Sequence, residues 1–276
     1  MATPTANRGG FVTSGPAQPL VSAVAQDLWD TSTIQKGPVG TLIELADGRR
    51  FRYGYAFASC TANKLCAPDA TSQVAAEGAA TAVVNSSGAA ADYASGVTTI
   101  YLKDTDRFTA ANSTDVFAGG FLVHANGGGG PFRIIGNSLT ATSSVMKVTL
   151  EDQTTVAFDS EDEVAIVGQP YNYLQVADSS NMAIAGIPLK TIAAGSYGWF
   201  QTRGICGCLA DGTITDGMLL TLSDGVSGAV QPIGGDITID SSDDVTFAAI
   251  ETEPVVGYAI GGTATGKYAT IMLQIE

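Results

Sequence analysis

The last ten residues, KYATIMLQIE, set Tyr268, Thr270, Met272 and Gln274 against Ala269, Ile271, Leu273 and Ile275. Successive side chains of a strand point to opposite faces, so the second set makes one unbroken apolar face and predicts a strand inside a sheet. The same two-residue period runs through TLIELADGRRFRYGYAFA, where Asp47-Gly48 marks the turn of a hairpin. From Val97 to Glu276, strand and turn signals recur about every 8–12 residues, the spacing of sandwiches and barrels. The predicted strands are Thr98–Leu102, Gly120–His124, Arg133–Ile135, Val145–Leu150, Glu163–Val167, Leu174–Val176 and Tyr197–Cys208. Further strands are predicted at Met218–Leu222, Asp236–Ile239, Val245–Ile250, Val255–Ile260 and Tyr268–Ile275. No segment holds a helical period long enough for βαβ units. The fold class is mainly β: one or more β-sandwich or barrel-like domains with Gly-rich turns and an extended N-terminal arm.

Four segments follow from these patterns. Residues 1–40, with Pro4, Pro16, Pro19 and Pro38, read as the arm, and its apolar patch carries Leu20, Val21, Val24, Leu28 and Trp29 at near-helical spacing. Residues 41–96 hold the hairpin and then PDATSQVAAEGAATAVV, where Asp69 is placed to cap a short helix that Gly78 disfavours. Residues 97–170 form a β-rich middle domain and residues 171–276 a C-terminal β-barrel or sandwich domain.

Composition sharpens the picture. The chain of 276 residues is 45% apolar, enough for a sizeable core. Only 14% of it is charged, against about 25% in a typical soluble domain. With 27 acidic and 13 basic residues the net charge is −14. A surface so poor in charge is built from small groups or covered by partners, as in a subunit of an assembly. Phosphate neutralisation needs clustered Lys and Arg, and Arg49, Arg50 and Arg52 on one predicted strand are read as a solvated face or local interface, so no nucleic acid is expected. No run of about 18 apolar residues appears, so no membrane partner is expected either. The N-terminus lacks the apolar core of a signal peptide, and the chain is expected to fold in a cytoplasm with reduced thiols.

The candidate chemistry is thin. Cys60-x₅-Cys66 and Cys206-x-Cys208 match neither a zinc knuckle nor a redox C-x-x-C, and residues i and i+2 of a strand share a side. Cys206 and Cys208 are therefore expected as small buried side chains facing one surface. A Ser-His-Asp triad would have to use His124, the only histidine, which ends a predicted strand and reads as a surface or interface residue. Paired carboxylates of a glycosidase would come from Asp159, Glu161, Asp162 and Glu163, or from Asp240, Asp243, Asp244, Glu251 and Glu253. Each group lies in a turn where Asp and Ser are expected anyway, and calcium between two such turns is the special case weighed beside it. Gly127–Gly130 runs into Pro131 and another strand, not into a helix N-terminus, so it is a loop tip and not a phosphate cradle. No catalytic residue, metal or cofactor is assigned.

Two stretches, YGWFQTRGICGCLADGTITDGMLLTLSDGVSGAV and PVVGYAIGGTATGKYATIMLQIE, resemble the C-terminal pattern of tailed-phage head proteins, particularly the decoration or cement proteins of capsids. PVGTLIELADGRRFRYGYA is similar to the opening hairpin of virion proteins encoded near major capsid genes. The resemblance implies a non-enzymatic virion protein, made in the host cytoplasm, that binds the outside of the capsid lattice and stabilises it. Its partners would be the major capsid protein and further copies of itself, with a trimer among the arrangements that fit. Leu20, Val24, Leu28 and Trp29 are the candidate interface residues, and deleting residues 2–36 is expected to release the protein without unfolding the β domain. One alternative is a head or tail fibre protein binding host glycans through Tyr171 and Tyr173. A polysaccharide-degrading enzyme using a carboxylate such as Asp159 or Asp243, and the major shell protein, rank below it.

Overall fold

The computed structural model describes residues 26–69, 82–104, 114–124, 129–139, 144–162, 164–178, 183–233, 237–239, 245–247 and 254–276. Every regular element among them is a β-strand. The chain runs β1 (Leu42–Glu44), β2 (Arg50–Ala56), β3 (Cys66–Pro68), β4 (Ala82–Val84), β5 (Thr99–Lys103) and β6 (Phe121–His124). It continues through β7 (Phe132–Leu139), β8 (Val145–Leu150), β9 (Val164–Val167), β10 (Leu174–Val176), β11 (Ile187–Pro188) and β12 (Ser196–Leu209). The remaining strands are β13 (Leu219–Leu222), β14 (Val230–Pro232), β15 (Ile237–Ile239), β16 (Val245–Phe247), β17 (Gly257–Gly261) and β18 (Tyr268–Gln274). The mainly β class is the observed one.

The chain divides into two compact units, residues 1–68 with 174–276, and residues 69–173. The boundaries differ from those of the sequence reading. The hairpin segment is split at Pro68, because the apolar face of β2 finds its neighbour 140 or more residues later, pairing Phe51 with Gln201 and Tyr53 with Trp199 of β12. The middle unit accordingly begins at Asp69 and not at Val97.

In the first unit the strand order is β14-β13-β17-β18-β12-β2-β10-β3, with β1 added to β2 and β11 to β12. Gly48 turns the β1–β2 hairpin at φ 83°, a conformation glycine adopts without steric cost. β18 behaves as its alternation predicts: Ala269, Ile271 and Leu273 are buried and Ile275 packs against them. The sheet curls until Ala210, just past β12, bridges Val230 of β14. The curl encloses an apolar core that includes Cys206, Cys208, Leu220, Leu222, Val230 and Val256.

The long strand β12 serves two cores because it is bulged. Its register against β2 slips between Gln201 and Arg203, and an extra residue in one strand reverses which side chains face which way. Before the bulge Trp199 packs with Phe51 and Tyr53. Beyond it Cys206 and Cys208 point inward while Arg203 and Ile205 point out. The buried Gln201 amide donates to the Arg203 and Ile205 carbonyls at 3.0 and 3.1 Å, giving both acceptors a side-chain partner just beyond the bulge.

The second unit is a six-stranded antiparallel sheet, β4-β5-β8-β7-β6-β9. Its own core holds Ile100, Leu102, Phe117, Leu122, Ile134, Met146, Val148, Phe158 and Ile166. The predicted helix after Asp69 falls outside the described residues.

Candidate functional site

Of the four candidate interface residues, Leu20 and Val24 lie outside the described residues. Leu28 and Trp29 belong to a short segment fixed to the first unit. Trp199 Nε1 donates to the Gln26 carbonyl at 3.1 Å, and the Tyr53 hydroxyl donates to Gln26 Oε1 at 3.1 Å. Gln26 Nε2 donates in turn to the Tyr197 carbonyl at 3.1 Å. Ser32 and Tyr197 exchange backbone bonds of 3.1 and 2.7 Å, and the Lys36 amide donates to the Tyr53 hydroxyl at 3.0 Å. Leu28 packs on the Phe51, Tyr53 and Trp199 cluster, in which Trp199 meets Tyr53 edge-on at 5.2 Å.

Trp29, one residue further, stays 47% exposed, and Ile34 66% exposed. The segment is thus tied down by its backbone and by Gln26, with two large apolar side chains left facing solvent. Gln26 was not singled out from the sequence. Its partner Trp199 stands more than 170 residues away, and a lone glutamine beside an apolar patch carries no signal of its own.

All four cysteines are buried and reduced. Cys66 lies against Cys60 and near Cys208, and burial first, then these neighbours, push its thiol well above the usual range. Burial likewise pushes Cys206 up to about 12 and raises Cys208. A thiolate is the form that attacks or binds metal, and these groups hold their protons. Among the described residues no group of three or more His, Cys, Asp or Glu is placed to hold a metal ion.

His124 corrects the surface reading. It is 6% exposed, because β6 is flanked by β7 and β9 and its ring lies 4.6 Å from that of Phe158. Asp162 Oδ2 sits 2.9 Å from Nε2, in an alignment outside hydrogen-bond geometry. The same carboxylate accepts the Asp159 amide at 2.7 Å, and Asp159 Oδ1 accepts the Glu161 amide at 2.9 Å. Asp92 Oδ1 takes the Ser160 amide at 3.0 Å. Burial raises the Asp162 pKa, but the Asp159 amide and His124 outweigh it and hold the carboxyl below its ordinary range. These carboxylates organise a turn, as their Ser/Asp setting suggests. Glu163, Asp240, Asp243, Asp244, Glu251 and Glu253 lie outside the described residues.

Tyr171 and Tyr173 do not present an open aromatic surface. Tyr171 is 9% exposed and Tyr173 packs partly buried against the core of the second unit.

No protein-family model matches the sequence, and no curated protein matches it. Among solved structures, the chain is similar to one described as the N base of head fiber gp8.5 in bacteriophage phi29. The identity is 16%, over 60% of this chain and 89% of that one, with a TM-score of 0.25. At that score the likeness does not amount to a shared fold.

Proposed function

We propose that the chain is a structural protein of a tailed-phage head that binds the outside of the capsid lattice and stabilises it, without enzymatic activity. The observation that carries this reading is the segment from Gln26 to Lys36. It is held to the sheet by Gln26, Ser32 and Lys36, yet leaves Trp29 and Ile34 exposed at the root of the 25 residues that precede it. A large aromatic on a fixed support loses little entropy when a partner covers it, and tryptophan is enriched at the energetic centres of interfaces. Lattice symmetry repeats each such contact many times, so a modest single contact is enough. A protein that binds only the assembled shell stabilises that shell by mass action. The motif resemblance of the C-terminal strands to decoration proteins supports the same reading.

The structure moves the truncation that tests it. Removing residues 2–36 would also take away Gln26, Leu28 and Ser32, which are part of the folded sheet's support. Deleting residues 2–25 keeps that support. The shortened chain is expected to keep its far-ultraviolet circular dichroism and to stop co-sedimenting with capsids, and full retention on capsids contradicts the arm's role. Trp29→Ala is expected to weaken capsid binding about 30-fold, the effect of losing an anchor worth about 2 kcal/mol.

A further inference from the structure

The outer side of the first unit's sheet carries an apolar row that the capsid reading does not use. Cross-strand pairing sets Ile205 of β12 beside Met272 of β18, Met272 beside Tyr258 of β17, and Tyr258 beside Leu219 of β13. All four point away from the core. Ile205 is 54% and Leu219 55% exposed, with Met272 and Tyr258 half-buried between them. Three strand spacings make the row about 14 Å long. Exposed Ile260 and Tyr268 extend the apolar surface on one side of it. The solvated side of an antiparallel sheet ordinarily alternates to polar residues, and a contiguous apolar patch on it marks an interaction site.

The charges beside the row say what covers it. Arg203 precedes Ile205 by two residues, is exposed, and has no ion-pair partner among the described residues, unlike Arg50 and Arg52 nearby, which bind Glu44 and Glu276. At the other end Asp216, exposed, precedes Leu219 by three residues and holds the Gly262 amide at 2.7 Å through one oxygen. Since β12, β18, β17 and β13 are successively antiparallel, β12 and β13 run in opposite directions. Arg203 and Asp216 therefore stand at diagonally opposite corners of the apolar row. A two-fold axis lying in the sheet surface, perpendicular to that diagonal, brings each Arg203 onto the Asp216 of the other copy and crosses the two apolar rows at their centres. With about 14 Å across the strands and a similar rise along them, the diagonal lies at about 45° to the strands, so the strands of the two copies cross at close to a right angle, the orthogonal class of face-to-face sheet packing. The opposite charges at the two corners are complementary under that axis.

We propose that this face binds a second copy of the chain, Ile205 and Leu219 supplying the apolar contact and Arg203 with Asp216 the reciprocal charge contact. The proposal stands on this face alone and holds or fails independently of capsid binding.

Sedimentation velocity of the purified full chain at micromolar concentrations tests it. The wild type is expected as a dimer, and Ile205→Glu or Leu219→Glu as a monomer with unchanged circular dichroism. Arg203→Glu alone and Asp216→Arg alone each set like charges together twice per dimer, and each is expected to weaken association about tenfold or more. In an equal mixture of these two variants, a hetero-dimer sets opposite charges together at both contacts, one with the original polarity and one with it reversed. Association is expected to return. That recovery separates a contact between copies from a loss of folding or of the Gly262 bond. A wild type that stays monomeric at every concentration overturns the proposal. So does an oligomer indifferent to both glutamate substitutions in the apolar row, or a mixture that associates no better than either charge variant by itself.

Discussion

Cys206 and Cys208 sit at alternate positions of one strand, turned into the same core, and burial keeps both thiols protonated. Titration with a thiol reagent at pH 8 is expected to label none of the four cysteines in the folded chain and all four in denaturant. The same burial fixes the sign of alkaline behaviour. An unfolded thiol ionises near about 8.5, whereas Cys206 in the fold holds its proton to about 12. Through that window the unfolded chain binds fewer protons, so stability falls as pH rises. Tyr53, Tyr93 and Tyr197, also raised mainly by burial, add to the fall only above their ordinary range near 10. Thermal melts from pH 7 to about 10 are therefore expected to decline less steeply for Cys206→Ala than for the wild type. A glycine makes a second residue-scale test. Gly228 has φ +72° and an added Cβ would lie 2.6 Å from Val176 Cγ1. Gly228→Ala is expected to cost about 1–3 kcal/mol in denaturant unfolding, from strain and overpacking together.

At the scale of the element, β18 separates its two faces cleanly. Ile271→Ala or Leu273→Ala, both fully buried, is expected to cost about 2–5 kcal/mol, while Thr270→Ala or Gln274→Ala on the exposed side should stay within about 0.5 kcal/mol. Equal losses on both faces, measured by urea unfolding, contradict the register. This strand was legible from its alternation alone, as were the Asp47-Gly48 hairpin, Val145–Leu150 and Leu174–Val176, because each is long enough or well enough flanked to show its period. The strands β3 and β14 were not, since CAP and VQP each end in a proline and lie among turn residues, with no alternation around them to mark a strand. The bulge in β12 was hidden too. TRGICGCL reads as one continuous strand, and nothing local in it says that the inward face changes at Gln201. Of the candidate site, Trp29's prominence was visible, but its anchoring through Gln26 was not, because that contact is made by residues near 53 and 199. His124 was misjudged for a related reason: a histidine at a strand's end looks solvated until two neighbouring strands flank it.

For the whole molecule, the second unit is an insertion in the first. The chain leaves at Pro68 and returns at Leu174, which pair directly, and the Asp69 amide bonds the Tyr173 carbonyl at 2.8 Å. Replacing residues 69–173 by a short glycine-rich link is therefore expected to leave the first unit folded, with the fluorescence of buried Trp199 and a cooperative melt retained. The two curled sheets, each with its own core, are well suited to presenting surfaces, and the central claim is that the chain acts by docking such surfaces onto a repeating shell. Cryogenic imaging of phage particles assembled with and without this chain tests that claim most directly. The account predicts density for the two β units on the outer surface of heads made with it, repeating with the lattice and missing from heads made without it. Identical heads in the two preparations, with the chain left free in the supernatant, would contradict it.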